Sequence, residues 1–275
     1  MRKVKVQYVL GFDNEIILEK EKRPMGKLCT DEKEMLIGKL AALFLGVTAD
    51  EIDEVMDATK TRLASETEKA KNQLTAESKQ AKRNDLEKLF HAQIAILKDR
   101  GIPEQIVEIL QNQKGQVVKK ASEMAIGDGN IAFLPVIPRS YRSPYDQMAM
   151  VKNGGKAGYT YLNSTQISDV VDAPSEPYYI YDVEDGESMR GKSPEAAEKI
   201  FKQQKRSPLT AAEAMALTTH TDVLSRHYVW VTGSRCGSAD EVPGVYLDLG
   251  YRPGLYWGCV DGSDGHVGSA SCGSR

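Results

Sequence analysis

The segment HTDVLSRHY, residues 220–228, concentrates side chains able to do chemistry: His220, Asp222, Arg226 and His227. An imidazole titrates near neutrality and suits a general base, while a guanidinium offers planar donors to an anion. If one helix runs through the segment, Asp222 and Arg226 are four apart and make an ordinary surface ion pair. His220 and His227 are seven apart and align on one face, but this is not the HExxH zinc spacing. Arg235 follows in TGSRCGSAD, after the strand pattern HYVWV. These five residues, to which the acidic loop at Asp182 and Asp185 can be added, define a catalytic reading, a hydrolase or transferase, which requires them to converge in one pocket.

Other candidate groups carry weaker patterns. YDVEDGESMRG holds Asp182, Glu184, Asp185 and Glu187, and DGSDG holds Asp261 and Asp264. Such carboxylates suit calcium or magnesium, yet they lack EF-hand spacing, and Asp-Gly turns need no ion. No metal and no cofactor is assigned. There is no GxxxxGK[ST], no GxSxG and no dinucleotide fingerprint. Cys236 and Cys272 belong to two similar stretches, GSRCGSAD and SASCGSR, but a nucleophilic thiol needs a lowered pKa. The expectation is that the closing residues dock on their domain, with a cysteine that is buried or incidental and not catalytic. PRSYRSPYDQM supplies Arg139, Tyr141, Arg142 and Tyr145, a set suited to an anionic or protein partner, or to covering the core.

Elements must position these groups. VKVQYVL alternates at period two, and GFDN and then EIILEKEK follow it, a β-hairpin pattern. Asp31 and Glu34 form a capping box before the apolar run MLIGKLAALFL, which predicts a buried helix. Thr48 and Glu51 form a second. Neither Pro nor Gly occurs from Ala49 to Asp99, so one helix of about 50 residues follows, roughly 75 Å at 1.5 Å per residue. Gly101 ends it, and Pro103 opens a third helix running to about Met124. Its Ile106, Leu110, Val117, Ala121 and Met124 are expected to face Leu86, Phe90, Ile94 and Leu97, and the first helix, over MLIGKLAALFL, is expected to cover residues 49–64. Met56, Leu63 and Ala70, with Thr67, Leu74 and Ala81, trace a thin heptad seam: either a bare, charge-laced arm or a site for a second chain. His91 reads as a packing or partner-contact residue.

Composition shifts at IGDGN, residues 126–130, after which Gly, Pro, Tyr and Ser rise. Strand patterns occur in IAFLPVIP, KAGYTYL, PYYIYDV, HYVWVTG, GVYLDLG and GLYWGCV. Capped helices begin at Ser143, Ser193 and Thr210. Strands and helices mix without a βαβ period, which predicts an α+β domain with a largely antiparallel sheet. The organisation is a hairpin and linker over 1–29, an antiparallel helical arm over 30–125 and a compact α+β domain over 126–275. The segments FLPVIPRSYRSPYD, PYYIYDVEDGESMRGKSP, LTAAEAMAL, HTDVLSRHY and GSASCGSR together resemble a family of prokaryotic proteins of unknown function, over about residues 131–275. That resemblance implies no activity and carries over no site residue.

The chain has 36 Lys and Arg against 39 Asp and Glu, a net charge of −3, and this balance argues against nucleic acid. No run of about 18 apolar residues predicts a membrane span. Four scattered cysteines and no signal-peptide pattern predict a cytoplasmic protein. The leading expectation is a partner-binding or scaffold protein, joined to a protein partner or to itself through the helical arm. The catalytic reading stands as its alternative.

Overall fold

The structure, a computed structural model, describes residues 8–10, 16–18 and 49–275. The chain divides into two compact units, Met1–Ala76 and Glu77–Arg275. In the first, β1 (Tyr8–Leu10) and β2 (Ile16–Leu18) pair antiparallel with Val9 opposite Ile17, as the alternation predicts. The turn at 11–14 and the helix expected over 31–45 lie outside the described residues.

Helix α1 (Ala49–Asp99) is continuous over 51 residues. Asp50 and Glu51 in its first turn and Lys98 in its last complement the helix dipole. It stops at Gly101, whose φ of +71° lets Ile102 N–H reach back to the Leu97 carbonyl.

In the second unit, the end of α1 carries a buried stripe of Leu86, Phe90, Ile94 and Leu97 at three- and four-residue spacing. It packs with Ile106 and Leu110 of α2 (Glu104–Asn112) and Val117 and Ala121 of α3 (Lys114–Glu123), the facing set expected. Each such side chain contributes about 2 kcal/mol by leaving water. The single helix expected from Pro103 to Met124 is two. Gln113 interrupts it: its N–H bonds back to the Leu110 carbonyl, and its side-chain amide reaches the Pro177 carbonyl at 2.8 Å.

Next come β3 (Ile131–Val136), α4 (Pro144–Met148), β4 (Lys152–Asn153), β5 (Lys156–Ala157), β6 (Tyr159–Thr160), β7 (Ile167–Asp169) and β8 (Tyr178–Val183). Strands β3 and β8 pair antiparallel, with Leu134 opposite Ile180. Phe133, Tyr179 and Tyr181 join the helical core, while Leu134, Val136, Tyr178 and Ile180 join the core on the other face. Burial on both faces explains the near-continuous apolar run in IAFLPVIP. Pro135 is tolerated because β3 pairs only with β8 and is an edge strand.

The remaining elements are α5 (Pro194–Gln204), β9 (Ser207–Pro208), α6 (Ala211–His220), β10 (Tyr228–Trp230), β11 (Ser234–Cys236), β12 (Glu241–Leu247), β13 (Pro253–Cys259), β14 (Val267–Ser269) and β15 (Ser271–Cys272). Helix α6 is buried all round from Ala211 to Thr219 and forms the centre of the main core. A five-stranded sheet runs in the order β14-β10-β12-β13-β6. Among the described residues seven of nine strand pairings are antiparallel, and the fold is α+β. Ser143, Ser193 and Thr210 each cap their helix through the side-chain oxygen, as predicted. Among the described residues no helix is long and apolar enough to cross a membrane.

Candidate functional site

The predicted catalytic residues separate into three places. Helix α6 ends at His220 because Thr221 is extended, at φ −133° and ψ 170°, and a short 3-10 turn follows over Val223–Ser225. The Asp222–Arg226 pair that a continuous helix would make is therefore absent. Instead Arg226 Nη2 donates to Asp185 Oδ2 at 2.6 Å. His227 Nε2 lies 3.6 Å from Asp185 Oδ1 and 3.5 Å from Glu187 Oε2, and its Nδ1 is 2.9 Å from the Tyr228 carbonyl. Asp185 also accepts from the Glu187 N–H.

This cluster is built by close backbone approach. Gly186, at φ +108°, lies against Gly268 of β14, and a Cβ on Gly186 would meet the Gly268 carbonyl oxygen at 2.8 Å and His227 Cε1 at 3.3 Å. The His227 side chain is fully buried. Burial works against its charged form, but the Asp185 carboxylate, the Tyr228 carbonyl and Glu187 outweigh it and raise its pKa. Burial likewise opposes the Asp185 anion, yet His227, the Glu187 N–H and Arg226 hold its carboxyl well below the usual range. The arrangement is an ion-pair cluster tying the loop after β8 to the start of β10.

His220 and Asp222 line a different cavity of about 540 Å³, with Lys152, Asn153, Thr218 and Ser225. Both His220 ring nitrogens are buried and have no hydrogen-bond partner among the described residues. Burial, and then the Arg100 charge, push the His220 pKa down to about 4, so the ring is neutral near pH 7. Arg235 is committed elsewhere, to Glu198 at 2.7 Å and to the Ala239 and Thr232 carbonyls.

The predicted partner-binding residues also divide. Arg139 donates to Asp169 at 2.8 Å and to the Ile167 carbonyl at 2.6 Å, and Tyr141 bonds to Glu176. The Arg142 carbonyl accepts from Gln147, and Tyr145 is exposed. Arg139 lines a cleft of about 490 Å³ with Asp169, Asp172, Ser175, Tyr178 and Thr210. Its guanidinium is largely spent on holding β7 in place.

Sequence reasoning missed the partners of Asp182 and one exposed set of residues. Asp182, at φ +52°, accepts from Gly127 N–H at 2.8 Å, Asn130 at 2.7 Å and Arg206 at 2.5 Å. Nothing in the Asp182 stretch predicts Arg206 as its partner. Tyr161, Leu249 and Tyr251 are exposed, and Arg252 stacks over Tyr159 with 4.5 Å to the ring centroid. Strand and turn patterning gave those residues no common location.

The closing residues dock as expected. Strand β15 pairs with β9, and Glu184 and Ser271 bridge. Cys236 and Cys272 are buried and free, and burial above all raises their pKa values to about 11 and about 12. That is opposite to what a nucleophilic thiol needs. Among the described residues no three His, Cys, Asp or Glu side chains are grouped to hold a metal ion.

Helix α1 offers a surface of another kind. Every described side chain over residues 57–85 is exposed, and Val55 and Leu63 are 65 % and 64 % exposed. Arg62–Glu66 and Arg83–Glu87 ion pairs lace it at four-residue spacing.

No curated protein and no solved structure matches the chain. One family model matches residues 36–275, so it extends over all of α1 as well as the α+β unit. The chain belongs to that family, a family of unknown function (DUF5701).

Proposed function

We propose that the chain is an assembly protein whose helix α1 is a contact surface for another polypeptide. The observation that carries this reading is the exposure of α1 over residues 57–85, more than seven turns without a buried described side chain. Helices draw most of their stability from a packed face, and exposed ion pairs each add only about 0.3–0.5 kcal/mol. An apolar residue as exposed as Leu63 gains from being covered.

The catalytic alternative has less support. It needs His220, Asp222, Arg226, His227 and Arg235 in one pocket, whereas they contact three separate groups of residues. The clefts beside Arg139 and His220 leave room for a small ligand as a further role.

A photo-reactive amino acid placed at Leu63 of the full chain, in cells, tests the assembly reading. One adduct of defined mass is expected. The same group at Lys199, on exposed α5, should give none. Equal labelling at both positions, or none at Leu63, would overturn it.

A further inference from the structure

We propose that the turn closing the β12–β13 hairpin docks on an anionic lipid surface, with Leu249, Tyr251 and Tyr161 entering the head-group layer and Lys152, Lys156 and Arg252 meeting the phosphates. This goes beyond the role of α1 and does not depend on it.

DLGYR, residues 248–252, joins the two strands just beyond the Leu247–Pro253 pair. Asp248 sets its shape. One carboxylate oxygen accepts from the Gly250 and Arg252 N–H groups, at 2.8 and 2.9 Å, and the other from Tyr159 Oη at 3.2 Å. The neighbouring β4–β5 hairpin braces the turn: Lys156 Nζ donates to the Gly250 carbonyl at 2.7 Å and Asn153 Nδ2 to the Tyr251 carbonyl at 3.0 Å. Tyr251 sits at φ +59°, a region costly for a residue with a Cβ, which the bracing sustains. So held, the turn keeps apolar side chains out in water. Leu249 is 105 % exposed, Tyr251 69 %, and Tyr161, whose ring lies 5.7 Å from that of Tyr159, 85 %. Leu249 adds nothing to the core and gains only from a surface that covers it.

The surrounding charges choose that surface. The two turns, 152–157 and 248–252, hold Lys152, Lys156 and Arg252 against Asp248, which accepts from backbone N–H groups. Counting Asp222, which shares a cavity with Lys152, the region stays positive. The opposite end of the same hairpin is acidic, with Asp240, Glu241 and Asp261 around the Glu241–Cys259 pair. The hairpin is thus polarised along its length, and its basic end is the one where apolar side chains project. Lys and Arg are drawn to anionic lipid, burying their stems while their charged heads stay at the phosphates. Tyrosine suits the same boundary, apolar in the ring and polar at Oη. Leucine is under-represented among the side chains that anchor protein interfaces, and a projecting turn cannot enclose a small molecule. Contact is confined to the interfacial layer.

Co-sedimentation of the full-length chain with extruded vesicles tests this, using phosphatidylcholine alone and phosphatidylcholine with about 30 % phosphatidylserine. Partitioning onto the mixed vesicles should exceed that onto phosphatidylcholine and should fall as salt rises. A basic side chain at an anionic surface is worth about fivefold in partitioning, so Lys152→Gln should lower it by about that factor. Leu249→Asp should lower it at least about tenfold with an unchanged urea midpoint, because the side chain touches no core. Lys202→Gln is the control. It is exposed on α5, whose Glu195 N–H bonds to the Val260 carbonyl at the other end of the hairpin, and it should change partitioning less than about twofold. Equal partitioning onto both vesicles, or no loss in Leu249→Asp, would overturn the proposal. So would absence of sedimentation with either vesicle, and a protein adduct from a photo-reactive residue at Leu249 would then make the turn a polypeptide contact instead.

Discussion

Arg275 holds Glu213 with two parallel hydrogen bonds, Nε to Oε1 at 2.6 Å and Nη2 to Oε2 at 2.8 Å. Glu213 is fully buried at the head of α6 and also accepts from Tyr178 Oη and the Thr210 N–H, both at 2.8 Å. Arg275 reaches Ser207 and the Pro208 carbonyl as well. Burial opposes the guanidinium charge, but the Glu213 carboxylate outweighs that and raises its pKa. One ion pair thereby joins the closing residues, β9 and the central helix.

Removing one partner should therefore cost more than removing both. Arg275→Met leaves a buried carboxylate with no cation and should destabilise the fold by about 3–5 kcal/mol. Adding Glu213→Gln should recover part of that loss, since a neutral amide keeps hydrogen-bonding capacity without the charge. Urea unfolding of the single and double variants measures both effects. A loss below about 1 kcal/mol in Arg275→Met would show the pair to be incidental.

The buried histidines 220 and 227 should respond to pH in opposite senses. His220 titrates near 4 when folded and near 6.5 when unfolded, so stability falls as pH drops through that window, by about 3 kcal/mol at its lower end. His227 has a raised folded pKa and faces Asp185 and Glu187, and Asp185 is itself paired with Arg226. Its contribution is complete below the unfolded value and is lost as pH rises through the folded one. Proton NMR of the imidazole C–H signals should give a His227 midpoint above 6.5 and no His220 titration above pH 5. A common midpoint near 6.5 would contradict both environments. His220→Gln should flatten the acid-side loss in an unfolding series.

Thiol reactivity should follow burial. In native protein Cys259, which is exposed, should react with a thiol reagent, whereas Cys236 and Cys272 should react only after unfolding. Peptide mapping of labelled protein assigns the sites. Rapid native labelling of Cys272 would mean that β15 opens readily.

Local rules made the elements legible. The uninterrupted run from Ala49 to Asp99 gave α1 almost to the residue, and Ser143, Ser193 and Thr210 marked three helix starts through a hydrogen bond each can make alone. The apolar spacing of Leu86, Phe90, Ile94 and Leu97 identified the face that α2 and α3 cover. What remained hidden depends on contacts distant in sequence. Thr210 and Glu213 announce a capping box, but nothing near Glu213 says that Arg275 meets it, 62 positions later. Arg226 was paired with Asp222 on helical spacing, and one extended residue, Thr221, released it to Asp185, 41 positions away. The helix divides at Gln113, whose side chain meets a carbonyl at Pro177, 64 positions away. Spacing predicts neighbours along an element, and the charged side chains here mostly chose neighbours across elements.

The contact between Gly186 and Gly268 has an evolutionary corollary. A Cβ on Gly268 would fall inside the van der Waals shell of the Gly186 carbonyl oxygen, and one on Gly186 would press on Gly268 and His227. Neither position can acquire a side chain while the other stays where it is. Relatives that keep the Asp185–His227 contact must inherit both glycines together. Drift at one should be accompanied by drift at the other and by loss of the histidine, so the four positions form a single heritable unit although together they span more than 80 residues.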